Sequence, residues 1–395
     1  MEMMKYDRTF FDQPIERCGT ACDKWDSLRE KEKRDLLPMW VADMDFRCPP
    51  EVTDALVARA QHPVYGYTEQ TEASVEAMLA YMARHHGVQM SARQQITLPC
   101  VVTGLKAILL ACTAPGDKVL IQTPVYGPFF DVVRSNGREL VPVPLVADSQ
   151  GYYGMDWPAM EHAVESGVRL MLLCSPQNPV ARLWSREELE RVYALCKQHQ
   201  VTLAVDEIHC DFVYTPGRFT SALQLDARDD AKLAVLVSAS KTFNLAGLQQ
   251  ATLLTRNPEL RRAVLTQLKN TGVVAGNIFA LTGTEAAYRY GDAWLAGLLT
   301  YLQEAHTLLR AELAARLPEA IMTPQEATYL AWVDLRAYGY PSEELTRRTH
   351  AQGVAFSSGT AFDPAKGDGY LRVNFGCPHS QTLEAVQRLE KAIKA

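Results

Sequence analysis

Between residues 168 and 241 the sequence repeats one grammar three times: an apolar run, a polar tip, then a turn or an amphipathic stretch. "VRLMLLC" (168–174) ends in "SPQNP", "VTLAV" (201–205) runs into "DEIHCDF", and "LAVLVSAS" (233–240) runs into Lys241. Between the first two lies "SREELERVYALCKQHQ" (185–200), where Ser185 with Glu188 three residues on predicts a capping box and the apolar positions keep helical spacing. Short apolar runs alternating with helices predict parallel strands, because parallel neighbours need a crossover connection. The fold class is therefore α/β, with a mostly parallel sheet flanked by helices.

Asn178, Asp206 and Lys241 each fall just past the end of a predicted strand. In an open parallel sheet, neighbouring strand ends share one crevice, and ligands bind there. Each residue has a plainer alternative: Asn178 as a turn residue before Pro179, Asp206 as a cap, Lys241 as a solvated cation. All three at successive strand tips is more than those alternatives account for. An amine, a carboxylate and an amide in one crevice suit a cofactor with a carbonyl and a ring nitrogen. Lysine forms a Schiff base with pyridoxal phosphate, and an anion keeps the pyridinium nitrogen protonated. Lys241 and Asp206 fit those roles, and Asn178 can donate to the ring oxygen.

Upstream, "QQITLPCVVTGLKAILLACTAPGD" (94–117) reads as a strand, a turn and an apolar helix ending before Pro115-Gly116. Its N-terminus near Val101, Val102 and Thr103 offers unpaired N–H groups to a phosphate. "VLIQTPVYGPFF" (119–130) leads to Tyr126, which either stacks on a pyridine ring or packs as a turn tyrosine.

A chain of 395 residues is long for a single core, so a large domain at 48–288 and a small one from 1–47 with 289–395 are expected. "YGDAWLAGLLTYLQEAHTLLRAELAARL" (290–317) reads as the long amphipathic helix joining them. A net charge of −6 without a basic cluster argues against nucleic acid as partner. The N-terminus carries charges where a signal peptide needs an apolar core, and no run approaches the roughly 18 apolar residues of a span. A cytoplasmic protein with no membrane contact is expected. Nine scattered cysteines, an odd number, read as reduced core thiols. Cys18 and Cys22 lack a second pair at zinc-site spacing, so no metal is expected. His85 and His86 read as a helix end.

The motifs "KWD" (24–26), "WVADMDF" (40–46), "YGYT" (65–68), "SPQNPVAR" (175–182), "DEIHCDF" (206–212), "SASKTFNLAGLQ" (238–249), "TYLAWVDL" (328–335) and "LRVNFGCPHS" (371–380) carry a resemblance. From about residue 5 onward the chain resembles the fold-type I pyridoxal-phosphate enzymes of the class I/II aminotransferase superfamily. More narrowly it is similar to the MalY/PatB group of cystathionine β-lyases and cysteine C–S lyases. The resemblance implies a large domain with a mostly parallel seven-stranded sheet and a smaller α+β domain. It implies that Lys241 binds the cofactor covalently and takes part in catalysis with Asp206, at the ring nitrogen, and Tyr126, stacked on the ring. Asn178 would meet the ring oxygen and the substrate, His209 the cofactor, and Val101, Val102 and Ser238 its phosphate. Arg372 would grip the substrate carboxylate, a task suited to a guanidinium fork, with Ala42 beside it. Tyr67 would reach the phosphate of a neighbouring subunit, which implies a homodimer with shared active sites.

Val180-Ala181 stands where the wider family has Thr-Gly, and Cys100 where glycine opens the phosphate turn. His209 and Gln249 replace residues usual in aminotransferases and match the lyase group. The implied activity is cleavage of L-cystathionine, L-cysteine or related S-substituted cysteines to a thiol, pyruvate and ammonia. An aminotransferase with a keto-acid acceptor is the alternative. A regulatory protein that keeps the fold and cofactor but acts by binding a partner is a third reading.

Overall fold

The computed structural model describes residues 6–215, 217–273 and 276–395. Residues 1–5, part of the predicted N-terminal arm, lie outside the described residues. Two sheets organise the chain. The larger has seven strands in the order Gln95–Leu98, Ala251–Leu254, Leu233–Val237, Thr202–Asp206, Val168–Cys174, Lys118–Thr123 and Glu139–Pro144. Only Ala251–Leu254 runs antiparallel to its neighbours, so the sheet is mostly parallel, as the alternation of strands and helices predicts. The central strands are buried along their whole length, which is why they read as unbroken apolar runs rather than alternating ones.

The second sheet has five strands, Leu37–Met39, Val354–Ser358, Tyr370–Asn374, Leu330–Asp334 and Ile321–Met322, in that order. Its first strand comes from near the N-terminus and pairs in parallel with Val354–Ser358. The sheet's other four strands all follow the helix Asp292–Arg316, which packs against the last helix, His379–Lys394. The sequence places the start of this long helix at Tyr290, but Tyr290 ends the preceding helix, Ile278–Tyr290. Gly291 separates the two, and a Cβ there would run into the Phe243 ring and the Ala287 carbonyl.

The capping box at Ser185 forms, with helix Arg186–Gln198 behind it. The cysteines differ from expectation. Only Cys174, Cys196, Cys210 and Cys377 are buried; Cys18, Cys22, Cys48 and Cys112 are partly exposed and Cys100 is exposed. Cys100 caps the helix Val101–Cys112, so its side chain faces outward beside Thr103 instead of into the core. All nine are free thiols. Among the described residues, no helix is long and apolar enough to cross a membrane.

Candidate active site

The register of the large sheet sets Cys174 beside Asp206 and Asp206 beside Leu236, so three strands end at one level. Asp206 is the last residue of its strand, and its Oδ1 accepts from the Ile208 N–H at 3.0 Å. Burial pushes its carboxyl up to about 7, against the pull of Lys241. Lys241 lies in the single turn Ala239–Thr242, where the Ser238 hydroxyl accepts from the Ser240 N–H. Burial lowers the Lys241 ammonium to about 8, with Asp43 and Asp206 opposing and Arg372 assisting. Its Nζ donates to the Ala42 carbonyl at 2.6 Å.

Asn178 sits between two cis bonds, Ser175–Pro176 and Asn178–Pro179. Its Oδ1 accepts from Nη1 of Arg372 at 3.2 Å. Arg372 arrives from the other sheet, on strand Tyr370–Asn374, with Nη2 donating to the Trp40 carbonyl at 2.7 Å and the guanidinium 4.5 Å from the Phe362 ring centre. Among the described residues its Nε has no partner, and burial lowers its pKa to about 10. His209 is buried, with ring contacts to Phe212 and Tyr329 and an Nδ1 that has no partner among the described residues. Burial, with the cations Lys241 and Arg372, pushes it down to about 3, so the imidazole is neutral at working pH. The structure thus brings Lys241, Asp206, Asn178, His209, Arg372 and the Ala42 carbonyl into one crevice between the sheets.

The remaining candidates are less central. Tyr126 is 38% exposed, and burial of the rest raises its hydroxyl pKa while Arg372 lowers it. Val101 and Val102 are the first two residues of the helix Val101–Cys112, where N–H groups lack intrahelical partners. The Ser238 hydroxyl is already engaged with the Gln250 carbonyl and the Ser240 hydroxyl. Tyr67 stands fully exposed in the irregular stretch between helices Pro50–Gln61 and Glu72–His86.

The crevice fits pyridoxal phosphate on its own terms. A buried amine that loses its proton easily and a buried carboxylate with no ion pair among the described residues match an aldehyde and a protonated ring nitrogen.

The motifs "KWD" and "WVADMDF" have no role that spacing or composition assigns, and the structure supplies one. Lys24, almost fully buried, donates to Asp45 Oδ2 at 2.6 Å and to the Asp43 carbonyl at 2.8 Å. Arg17 bridges both acids, reaching Asp45 at 2.7 Å and Asp43 at 2.8 Å, and the Trp25 indole donates to Asp45 at 3.0 Å. His86, beyond ending its helix, pairs with buried Asp211 at 2.8 Å, and Asp211 accepts from Thr242, the neighbour of Lys241. His86, Asp211 and Cys210 lie close enough together to be weighed as metal ligands, but the first two already satisfy each other. Charge inside an apolar segment marks only Asp43 and Asp45 in "WVADMDF"; Arg17, Lys24 and His86 lie in polar stretches that carry no such signal.

An open α/β sheet with a buried lysine and carboxylate at adjacent strand ends, faced by a buried arginine from a second sheet, defines a recognisable class. The family model for aminotransferase class I and II matches residues 34–389, and the chain belongs to that family. It is 38% identical over 387 residues to cystathionine β-lyase PatB of Bacillus subtilis, covering 97% of this chain and 99% of that protein. It is 32% identical to protein MalY of Escherichia coli, over 98% and 99% of the two chains. The crystal structure of cystalysin from Treponema denticola, which contains pyridoxal 5'-phosphate, superposes with a TM-score of 0.94 at 28% identity, covering 99% of each chain.

Proposed function

We propose that the protein is a pyridoxal-phosphate-dependent carbon–sulfur β-lyase that cleaves L-cystathionine, L-cysteine or related S-substituted cysteines to a thiol, pyruvate and ammonia. The observation that carries this reading is the placement of the Lys241 amine and the Asp206 carboxylate at neighbouring strand ends, facing a buried Arg372 that has no acid partner among the described residues. The names of the relatives at 38% identity and in the cystalysin comparison support the lyase over the aminotransferase.

The cofactor, when bound, supplies an aldehyde to which amino groups add and a protonated ring that draws electrons from the substrate Cα. The protein's residues do the rest. Arg372 holds the α-carboxylate with its guanidinium fork, which Asn178 and the Trp40 carbonyl orient. Lys241, lowered to about 8, has a usable neutral fraction near pH 7.5 and takes the α-proton at Nζ. Asp206 as an anion keeps the ring N–H proton in place. Neutral His209 contributes a polar ring without adding a positive charge. Departure of a thiolate from Cβ then leaves a three-carbon fragment that hydrolyses to pyruvate and ammonia.

The same reading makes the protein a cytoplasmic homodimer in which Tyr67, exposed on its own subunit, completes the partner's site. It places the crevice between a large unit at 48–288 and a smaller one built from 1–47 and 289–395. The test is pyruvate release from L-cystathionine by the purified protein loaded with pyridoxal phosphate and given no keto acid. Sustained turnover is expected. No pyruvate, with the substrate's amino group passing to an added keto acid and its carbon–sulfur bond left intact, would make the enzyme an aminotransferase.

A further inference from the structure

Five motifs meet at one place that the roles above leave unexplained. The stretch Trp40–Phe46 is irregular backbone running through the interior, where unpaired carbonyls are costly. Five successive carbonyls are each taken by side chains. Trp40 accepts from Arg372 and Ser357, Val41 from Asn374, and Ala42 from Lys241 and Tyr329. Asp43 accepts from Lys24 and Asn374, and Met44 from Arg17 and Asn244. Asn244 also binds the Met44 N–H and the Phe46 carbonyl, fixing the strap from the lysine's own side.

Packing alone does not call for this. A buried ion pair is seldom more stable than apolar residues of the same volume, yet Lys24 and Asp45 form one two residues beyond the Asp43 carbonyl that Lys24 also holds. What the arrangement fixes is the position of the Ala42 carbonyl, the single hydrogen-bond acceptor of the Lys241 amine among the described residues. A lysine side chain has a flexible four-carbon stem, so a free amine wanders unless something holds it. Proton transfer at a substrate carbon tolerates little wandering.

The geometry points to Tyr329 and Lys24 as positioning residues for Lys241: Lys24 anchors the strap through Asp45 and the Asp43 carbonyl, and Tyr329 shares the Ala42 carbonyl with the amine. The inference rests on the proposed function, in which the Lys241 amine must leave its bond to the cofactor and come back. Tyr329 is buried, its hydroxyl donates to Ala42 at 3.2 Å, and its ring packs on Phe212 and His209. Removing that hydroxyl leaves the carbonyl wholly to the ammonium and favours the charged amine. The charged and titratable groups facing Lys241 are Asp43 on the strap, Asp206 at the end of its strand, His209 in the turn that follows, and Arg372 on the small sheet.

The test uses full-length Tyr329→Phe and Lys24→Met without cofactor. Acetic anhydride labelling across pH, read at Lys241 by mass spectrometry, gives the midpoint for the free amine; the growth of visible absorbance after adding pyridoxal 5'-phosphate gives its rate of capture. Tyr329→Phe is expected to raise the midpoint by about half a pH unit. Lys24→Met is expected to slow capture roughly tenfold, because the acceptor is no longer held in place. A role in packing alone would lower the thermal midpoint and leave both readouts unmoved. A folded Tyr329→Phe with the wild-type labelling profile and capture rate overturns the inference, and it decides the matter alone if Lys24→Met does not fold. If borohydride fixes the cofactor on a residue other than Lys241, the proposed function has failed instead, whatever the labelling profile shows.

Discussion

Arg182 and Arg372 are equally buried, each 4% exposed, and their surroundings are opposite. Arg182 uses every donor group inside the chain: Nε on the Tyr153 carbonyl, Nη1 on the Leu183 carbonyl and Glu326, Nη2 on both oxygens of Glu188. Among the described residues Arg372 meets an amide oxygen, a carbonyl and a distant hydroxyl, with no carboxylate and an unpartnered Nε. Burying a guanidinium without an acid is costly, and the cost is visible in its lowered pKa, about 10. The comparison teaches that a buried charge matched by its own chain serves the fold, whereas one matched only by dipoles is kept for something that arrives with the opposite charge.

The sharpest way to break this contrast is at the amine. Lys241→Ala is expected to abolish both turnover and the visible absorbance of the bound cofactor, and normal activity in that variant would remove the basis of the site. The two arginines come next. Arg372→Ala should raise KM for amino-acid substrates roughly a hundredfold with little change in thermal midpoint, as expected for losing a buried charge-assisted contact. Arg182→Ala should do the reverse, costing up to about 3 kcal/mol of stability by taking the guanidinium from Glu188 and leaving Glu326 to Arg218, while KM in the surviving folded protein stays near wild type. Equal effects of the two substitutions on KM would erase the distinction.

Asp206→Asn sharpens the comparison through pH. The folded carboxyl titrates at about 7 against an ordinary value of 3.8, so the folded state binds more protons between those values and loses stability as pH rises through them. The substitution should therefore raise the thermal midpoint of the cofactor-free protein at pH 8, by an amount equivalent to a few kcal/mol at most, and leave it nearly unchanged at pH 3.5. It should also slow exchange of the substrate α-deuterium more than it weakens cofactor binding. The smallest effect is expected at Ala181, whose φ of 55° lies in the left-handed region. Its carbonyl accepts from both Glu326 and Ala327 at 3.2 Å, so the backbone cannot relax away. Ala181→Gly should add about 1 kcal/mol, a rise of about 1–2 °C in calorimetry.

Much of the site is legible in the sequence because strand tips are local. An apolar run announces its own end, so Asn178, Asp206 and Lys241 can be placed together from the order of residues alone, and the alternation of strands and helices implies the parallel sheet. Arg372 and Tyr67 come from resemblance rather than from pattern. The strap is not legible at all, since backbone carbonyls carry no letter in a sequence and its donors are spread from Arg17 to Asn374. The second role of His86 is hidden for the same reason: its place at the helix end is local and legible, but Asp211 lies 125 residues away. Val180-Ala181 shows as a departure from Thr-Gly, while the left-handed backbone that makes glycine the easier choice emerges only from the torsion angle.

The distances in chain that close the crevice also set an order on synthesis. The bond from Lys241 to Ala42 spans 199 residues, and those from Arg372 to Trp40 and from Asn374 to Val41 span 332 and 333. Contacts this remote form late, after nearer ones have offset the entropy of closing the loop. A growing polypeptide on the ribosome can complete the seven-stranded sheet once Leu254 has emerged, yet its "WVADMDF" stretch must wait for more than a hundred further residues before its carbonyls at Trp40 and Val41 meet Arg372 and Asn374. Until then Lys241 is out of the ribosome and Arg372 is not, so under the roles proposed above covalent loading would precede the ability to turn anything over.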